Sequence, residues 1–174
     1  MKNKKVLIGG GLLFLAAFWF YIKPNYLDSK PAVVFTQEQI AGAPRPTLFI
    51  GKSADPKAKS GEKGVVFNLK AVANAPSYVK VIMAIEFEDP EHTYVGVHGA
   101  TAVTAKNVQF AYDLSPEMPK ILDVLTRVFS GKSVEQVTTT EGKEKLKEEL
   151  VVALNSVIKG ETVEAIYFES FITQ

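Results

Sequence analysis

The start of the chain constrains its fold more than any other feature. Residues 1–5 carry three lysines, and the 17 residues from Val6 to Ile22 carry no charge. A helix of that length rises roughly 25 Å, which nearly matches a hydrocarbon core about 30 Å thick. Lys5 and Lys23 stand at its two ends, where long basic side chains reach the polar headgroups. The pattern therefore predicts one transmembrane helix over residues 6–22.

The residues that flank this helix predict its orientation in the membrane and indicate that it stays in the mature protein as an anchor. Three lysines before the run against one after it favour a cytoplasmic N-terminus, 1–5, with the rest of the chain outside the cytoplasm. The run ends in Trp19, Phe20 and Tyr21, which suit the aromatic belt at the outer headgroups. A cleaved signal peptide is the alternative, but it requires small residues before its cleavage point. We therefore predict a single-pass anchor that contacts membrane lipid.

The composition of the chain after the anchor argues against several classes of function. About 150 residues remain, enough for one domain and a linker. When the four lysines that flank the anchor are set aside, 16 basic residues stand against 19 acidic ones, a net charge of −3. Because nucleic-acid binders carry a basic excess on their folded part, that class is disfavoured. The chain has no cysteine, which excludes disulfides, thiol catalysis and Cys-ligated zinc.

Residues 23–64 have the composition of a linker. Five prolines interrupt any regular element, and residues 57–64 are polar and rich in lysine and glycine. One short apolar patch, Thr47–Ile50, suggests a strand that joins the following domain. We therefore predict a tether over 23–64 and an extracytoplasmic domain over 65–174.

Alternating apolar residues predict the strands of this domain. Val65, Phe67 and Leu69 share one face of a first strand. In the stretch from Tyr78 to Glu88, every second residue from Val79 to Phe87 is apolar, while Lys80, Glu86 and Glu88 lie on the other face. This pattern is typical of an antiparallel strand with one buried face and one mostly wet face. The final run, Thr162–Thr173, is apolar on both faces. It predicts a central strand, or one covered by helices on one side and by a partner on the other.

Helical signals dominate the second half of the domain, after an ambiguous segment over 91–114. There, Tyr94–His98 suits a strand, and Ala100–Tyr112 suits either a helix or the return of a hairpin. Ser115 followed by Pro116 then predicts the start of a helix that ends at Gly131.

Two further helices follow. Ser133 and Gln136 form a capping box, which predicts a very short helix. The last helix is predicted to start at Thr138 or Thr140 and to end at Gly160. Its apolar stripe comprises Leu146, Leu150, Leu154, Val157 and Ile158. Together, the patterns predict an α+β domain of antiparallel strands with two to three helices.

The order of these parts resembles the family of the flagellar basal-body-associated protein FliL. The similarity covers the anchor and about 100 further residues. It is carried by a lysine-rich start, one span, a polar linker and five segments. These segments are Val65–Leu69, Tyr78–Val81, Met118–Asp123, Thr140–Leu150 with Asn155 beyond it, and the closing Ile166–Gln174. Residues 91–114 and the linker have no counterpart in this resemblance.

The resemblance implies a non-enzymatic role without a cofactor. It implies a domain of the SPFH or stomatin type in the bacterial inner membrane at the flagellar basal body. Such domains form a ring-like homo-oligomer around flagellar stator subunits of the MotA/MotB type and favour their ion-conducting state. A ring of this kind must bind the active stator form more tightly than the inactive one, because equal affinity shifts no equilibrium.

Two other function classes remain open from the sequence. One is a general SPFH-like membrane scaffold unrelated to flagella. The other is an anchored enzyme or metal site that uses His92 and His98, with Asp89 and Glu91 nearby, although a spacing of six suits neither a helix face nor a tight turn. For partner contacts, the exposed apolar positions of the last strand and the 91–114 segment are the best candidates. Phe168 and Phe171 of that strand are instead expected to lie in the core.

Overall fold

The computed structural model describes residues 33–55, 63–72 and 75–174. All helices and strands of these residues belong to one unit, Thr36–Gln174. The predicted anchor over 6–22 lies outside the described residues, as do its flanking and interfacial residues Lys5, Trp19, Phe20, Tyr21 and Lys23. Within the described ranges, no helix is both long and apolar enough to cross a membrane.

The unit contains four strands and five helices among its described residues. The predicted α+β arrangement is confirmed, but the helices outnumber the two to three that the sequence predicts. The strands are β1 (Thr47–Ile50), β2 (Val65–Val72), β3 (Ala75–Phe87) and β4 (Val163–Thr173). The helices are α1 (Gln37–Ala41), α2 (Ala100–Asp113), α3 (Met118–Ser130), α4 (Val134–Thr138) and α5 (Thr140–Asn155). A 3-10 turn, Ser115–Glu117, precedes α3.

The 13-residue strand β3 is the centre of one antiparallel sheet. It pairs with β4 along one edge, and with β1 and β2 along the other. Met83, for example, lies opposite Ile50 of β1 on one side and opposite Phe168 of β4 on the other. Strands β1 and β2 therefore lie end to end in one row.

Two glycines join the two halves of that row. Gly64 N donates a 2.8 Å hydrogen bond to Gly51 O, which joins the end of β1 to the start of β2. A Cβ on Gly51 would lie 2.8 Å from Val81 O, and its φ of +89° favours glycine. Because β1 belongs to the sheet, the folded unit begins at Thr36 rather than at residue 65, inside the segment predicted as a linker. The suggested strand at Thr47–Ile50 is confirmed.

Helices α3 and α5 cover one face of the sheet. That face of β3 is fully buried, as its alternation predicts, and comprises Val79, Val81, Met83, Ile85 and Phe87. The ring of Phe129 in α3 stacks on Phe67 of β2 at 4.6 Å between centroids. Burying one such side chain contributes about 1.5–3 kcal/mol, so this layer holds the helices on the sheet.

The ambiguous segment resolves into turns followed by a helix. The strand considered at Tyr94–His98 is absent from the described structure, because backbone bonds such as Val95 N to His92 O close tight turns there. Residues Ala100–Asp113 form helix α2. Helix α3 then begins at Met118 rather than at Ser115, since Ser115–Glu117 adopt the tighter 3-10 turn and Ser115 makes no side-chain cap.

The capping box of α4 and the start of α5 at Thr140 are confirmed, whereas the C-terminal end of α5 differs from the prediction. Ser133 Oγ accepts from Gln136 N, and Gln136 Oε1 accepts from Ser133 N. Helix α5 is capped by Thr139, whose Oγ1 accepts from Gly142 N at 3.0 Å. It ends at Asn155 instead of continuing to Gly160, because the Asn155 side chain binds the start of β4.

Candidate interaction surface

The outer edges of the sheet differ in how their backbone groups are satisfied. Helix α2 closes the edge at β1, where Asn107 Oδ1 accepts from Thr47 N at 3.3 Å and from Tyr94 OH at 3.1 Å. Asn107 is 6% exposed and Tyr94 is 3% exposed, so water has little access to this network. A single amide oxygen therefore connects the strand edge, the helix and the preceding turn.

Acidic residues surround Tyr94. Asp89 Oδ2 accepts from Tyr94 N at 2.7 Å and fixes the turn that delivers the ring to Asn107. Burial, together with the negative charges of Asp89 and Glu161, raises the pKa of the Tyr94 hydroxyl to about 12. The hydroxyl therefore remains a hydrogen-bond donor throughout the physiological pH range.

The edge at β2 is closed near its C-terminal end. Lys70 N donates to Lys132 O at 2.8 Å, in the turn between α3 and α4. The row formed by β1 and β2 is thus bound by other parts of the fold at both of its ends, which leaves only its middle free for a further strand.

The other edge of the sheet is β4, and only its first residue is closed. Asn155 Nδ2 donates to Val163 O at 3.0 Å, and Asn155 Oδ1 accepts from Val163 N at 2.7 Å. This amide satisfies both outward backbone groups of Val163, as a neighbouring strand would. Beyond it, β4 pairs with β3 alone among the described residues. Of the two predicted alternatives, the central strand is therefore wrong, because β4 is an edge strand. The other alternative is met in part, since α5 packs on one side of β4, and the partner on the other side stays a prediction.

Both acidic side chains of β4 are neutralised by ion pairs. Glu164 binds Arg45 at 3.3 Å, and Glu169 binds Lys52 at 2.5 Å. Each glutamate lies at a position where the register between β3 and β4 shifts. Because Arg45 and Lys52 flank β1, each pair crosses the central strand β3. No free charge then remains on the side chains of β4 to oppose an incoming strand.

Apolar side chains border the open edge on both faces of the sheet. On the face away from the helices, Tyr167 is 49% exposed and Ile172 is 52% exposed. A shallow groove of about 450 Å³ there is lined by Val66, Tyr78, Lys80, Ile172 and Gln174. On the helical face, Phe168 and Phe171 are half-buried against the core, under the ammonium groups of Lys147 and Lys143. The prediction that both phenylalanines belong to the core is thus met in part.

The 91–114 segment contributes a second exposed apolar surface. Val108 and Tyr112 of α2 are 42% and 74% exposed, and they lie four residues apart on one helix face. This surface is separate from the β4 edge, since α2 contacts β1 on the opposite side of the sheet.

The two histidines do not meet in a recognisable site. His92 lies in the turn after β3 with a φ of +55°, and His98 immediately precedes α2. In the part of the chain that the structure describes, no three His, Cys, Asp or Glu side chains are placed to hold a metal ion.

Several residues that form these edges had no signal in the sequence. Asn107 is 60 residues from Thr47, and Arg45 is 119 residues from Glu164, so local spacing could not connect them. Asn155 appeared only as part of the family resemblance. The Asn155 side chain bonds Val163 in place of a neighbouring strand, and it can do so only because the turn between α5 and β4 brings the two residues together.

The fold therefore defines a class of small α+β domains with one strand edge open to a further strand. A family model described as "Flagellar basal body-associated protein FliL" matches residues 61–174. A similar protein, "Flagellar protein FliL" of Aquifex aeolicus (strain VF5), is 26% identical over 121 residues, which cover 68% of this chain and 67% of the relative. Because the family model matches more than half of the chain, the chain belongs to the FliL family of flagellar basal body-associated proteins. The resemblance found in the sequence is confirmed.

Proposed function

We propose that this protein is a non-enzymatic component of the flagellar motor that assembles as a ring-like scaffold around stator units. In this role it supports the active, ion-conducting state of MotA/MotB-type subunits and hence motility. The observation that carries the proposal is the family match, which covers β2, β3, β4 and helices α2 to α5. The match thus covers the folded domain apart from α1 and β1.

The predicted anchor places this role at the inner membrane. A helix over 6–22, with Lys5, Trp19, Phe20, Tyr21 and Lys23 at the two interfaces, would leave the folded domain in the periplasm or its equivalent. Anchoring restricts diffusion to two dimensions and raises the effective concentration of copies and partners. A scaffold built from weak contacts then assembles at low abundance.

The exposed surfaces provide the contacts that such a scaffold requires. The open β4 edge with Tyr167 and Ile172 offers one surface, and Val108 and Tyr112 of α2 offer another on the far side of the sheet. To favour conduction, the assembled domains must contact the active form of the stator more extensively than the inactive form.

A chromosomal deletion tests the role in motility. The proposal predicts reduced swimming of the deletion strain, with flagella still present, and restoration by the full-length chain. The matched control is a chain with Val152→Ala, since Val152 lies on the exposed face of α5 at 72% exposure and its truncation should restore swimming equally. Unchanged swimming of the deletion strain would refute the role.

The second candidate is a general SPFH-like membrane scaffold unrelated to flagella. The open strand edge is equally compatible with it, because the edge does not specify a partner. A fluorescent fusion separates the two candidates. Foci at the flagellar base favour the motor component, whereas an even distribution over the membrane favours the general scaffold.

A further inference from the structure

The open edge of β4 has a defined set of outward backbone groups. Tyr78 and Gln174 exchange both backbone hydrogen bonds, at 2.8 and 2.9 Å, so Tyr78 directs its backbone groups towards β4. Because backbone directions alternate along an unbroken strand, every second residue of β3 from Tyr78 to Glu86 also faces β4. The β4 residues opposite the odd-numbered positions of β3, from Val79 to Ile85, therefore direct their backbone N–H and C=O groups away from β3, towards the open edge. They are Ile166, Phe168, Phe171 and Thr173.

The spacing of these four residues is symmetric. They are separated by two, three and two positions, and the middle interval is longer because the register shift at Glu169 inserts one residue. Under a two-fold axis between Glu169 and Ser170, the set maps onto itself. We infer that this edge pairs antiparallel with the same edge of a second copy of the chain, through main-chain hydrogen bonds at all four outward residues.

The rest of the fold argues for a second copy in this orientation. Pairing of β4 with the β1–β2 row of another copy is opposed because Asn107 closes that row at Thr47 and Lys132 closes it at Lys70. Among the side chains of β4 itself, like charges do not oppose the two-fold pairing, since Lys52 neutralises Glu169 next to the axis, whereas Lys147 and Lys143 of α5 lie above Phe168 and Phe171 on the helical face. An isologous contact also requires only one self-complementary surface.

The symmetric register makes specific contacts between the copies. Phe168 lies opposite Phe171 of the second copy, a pairing of aromatic side chains that stabilises neighbouring strands. Tyr167 lies opposite Ile172 of the second copy, and both side chains are about half exposed in the single chain. Their backbone groups face β3, so they form a non-hydrogen-bonded pair with Cα atoms about 4.5 Å apart.

This contact would join copies in pairs within the proposed scaffold, while a ring would need a second surface between the pairs, and its role in the cell rests on that proposed function. Four residues per strand form a small interface, which is weak between freely diffusing proteins. Anchoring in a membrane would raise the effective concentration and populate the pair.

Cysteine cross-linking tests the register, because the chain contains no cysteine of its own. Tyr167→Cys and Ile172→Cys variants of the full-length chain are reconstituted in liposomes, separately and mixed, and oxidised. The mixture should form disulfide-linked dimers at least fivefold above either variant alone. Each cysteine lies opposite the other position, whereas two copies of the same position are about 17 Å apart along the strands. A mixture of Tyr167→Cys with Val66→Cys, an exposed residue of β2, is the control for random collisions. Equal yields in all mixtures, or no dimer in any, would overturn the inference.

The charge next to the axis provides an independent test. Lys52→Ala leaves Glu169 unpaired beside Glu169 of the second copy, so the 167–172 cross-linking yield should fall severalfold at low salt. Adding Glu169→Gln to that variant should restore the yield, as should high salt through screening. A fall that neither change reverses would indicate a structural effect of Lys52 and would contradict the charge argument for the two-fold pairing.

These results separate the inference from the proposed function. If stator subunits copurify with the chain but the 167–172 disulfide does not form, the two-fold contact is wrong and the motor role stands. If the disulfide forms and no stator subunit is recovered, the contact stands and the motor role fails.

Discussion

The network around Asn107 allows a quantitative prediction about stability. Asn107→Ala removes the acceptor that Thr47 N and Tyr94 OH share. Thr47 is 9% exposed and Tyr94 is 3% exposed, so water does not readily replace the lost oxygen. Each buried donor left unsatisfied costs about 1–3 kcal/mol, and the substitution should lower the free energy of unfolding by about 2–5 kcal/mol. That is a large part of a domain stability of roughly 5–15 kcal/mol.

A double-mutant cycle with Tyr94→Phe isolates the shared hydrogen bond. With Asn107 present, loss of the Tyr94 hydroxyl removes one buried hydrogen bond and costs about 1 kcal/mol. After Asn107→Ala, the same hydroxyl is a buried donor without an acceptor, so its removal should cost nothing or should stabilise the fold. The expected coupling energy is therefore about 1 kcal/mol or more.

Urea unfolding of the full-length chain in mild detergent, followed by far-UV circular dichroism, measures these free energies. Gln109→Ala is the matched control, because its amide bonds Asp113 Oδ1 at 2.8 Å on the exposed side of the same helix. The control should change stability by no more than about 0.5 kcal/mol. If Asn107→Ala behaves like the control, or if Tyr94→Phe costs the same in both backgrounds, the network does not close the β1 edge as described.

Three other substitutions test separate parts of the fold. Gly142→Ala should destabilise the fold by about 1–3 kcal/mol in thermal unfolding, because its Cβ would lie 2.0 Å from Gln136 O. The control Gly131→Ala should be nearly neutral, since its Cβ meets nothing closer than 3.5 Å. Equal melting temperatures of the two variants would refute the close approach at Gly142. Phe129→Ala should cost about 3–5 kcal/mol, since Phe129 is fully buried against Phe67, and a cost below 1 kcal/mol would contradict that packing. Burial and the charges of Glu91 and Asp89 raise the pKa of Glu161 above 4.5, so the ionised carboxylate destabilises the folded state. This penalty is present at pH values above the folded-state pKa. It disappears as the pH falls below the pKa of Glu161 in the unfolded chain. Glu161→Gln should therefore raise the urea midpoint at pH 7 and leave it unchanged near pH 3, whereas a larger gain at pH 3 would reverse the sign of the argument.

Local patterns were sufficient to predict the elements whose neighbours are close in sequence. The alternation from Tyr78 to Glu88 identified the buried face of β3, because side chains of a strand alternate between faces whatever the partner strands are. The capping box at Ser133 and Gln136 was confirmed because both of its hydrogen bonds lie within one helical turn.

The features that depend on distant contacts could not be predicted in the same way. The apolar pattern of β4 is the same whether its outer edge is paired or open, so local patterns could not place β4 at the edge of the sheet. Thr47–Ile50 lies among prolines, yet it gains a place in the sheet because Gly51 and Gly64 return the chain to the same row. Helix α2 lacks a strong apolar stripe, and its position depends on the buried side chain of Asn107 and on Phe110, whose ring packs edge-on against Phe87 at 5.0 Å between centroids. In each case the deciding partner lies outside the local window.

The same limit applies to the candidate surface. The last strand and the 91–114 segment were predicted as candidates for partner contacts; both carry exposed apolar residues, and the contacts themselves stay a prediction. The sequence could not show that Arg45 and Lys52 neutralise Glu164 and Glu169, because each ion pair spans more than 100 residues. These ion pairs leave no unpaired charge on the two glutamates of β4.

Purification of the full-length chain from its native cells in mild detergent, with identification of the proteins that accompany it, tests the motor role most directly. The account predicts recovery of MotA/MotB-type stator subunits together with a large, discrete assembly of this chain. Recovery of the chain as a monomer, or with unrelated membrane proteins alone, would contradict the proposed role at the flagellar motor.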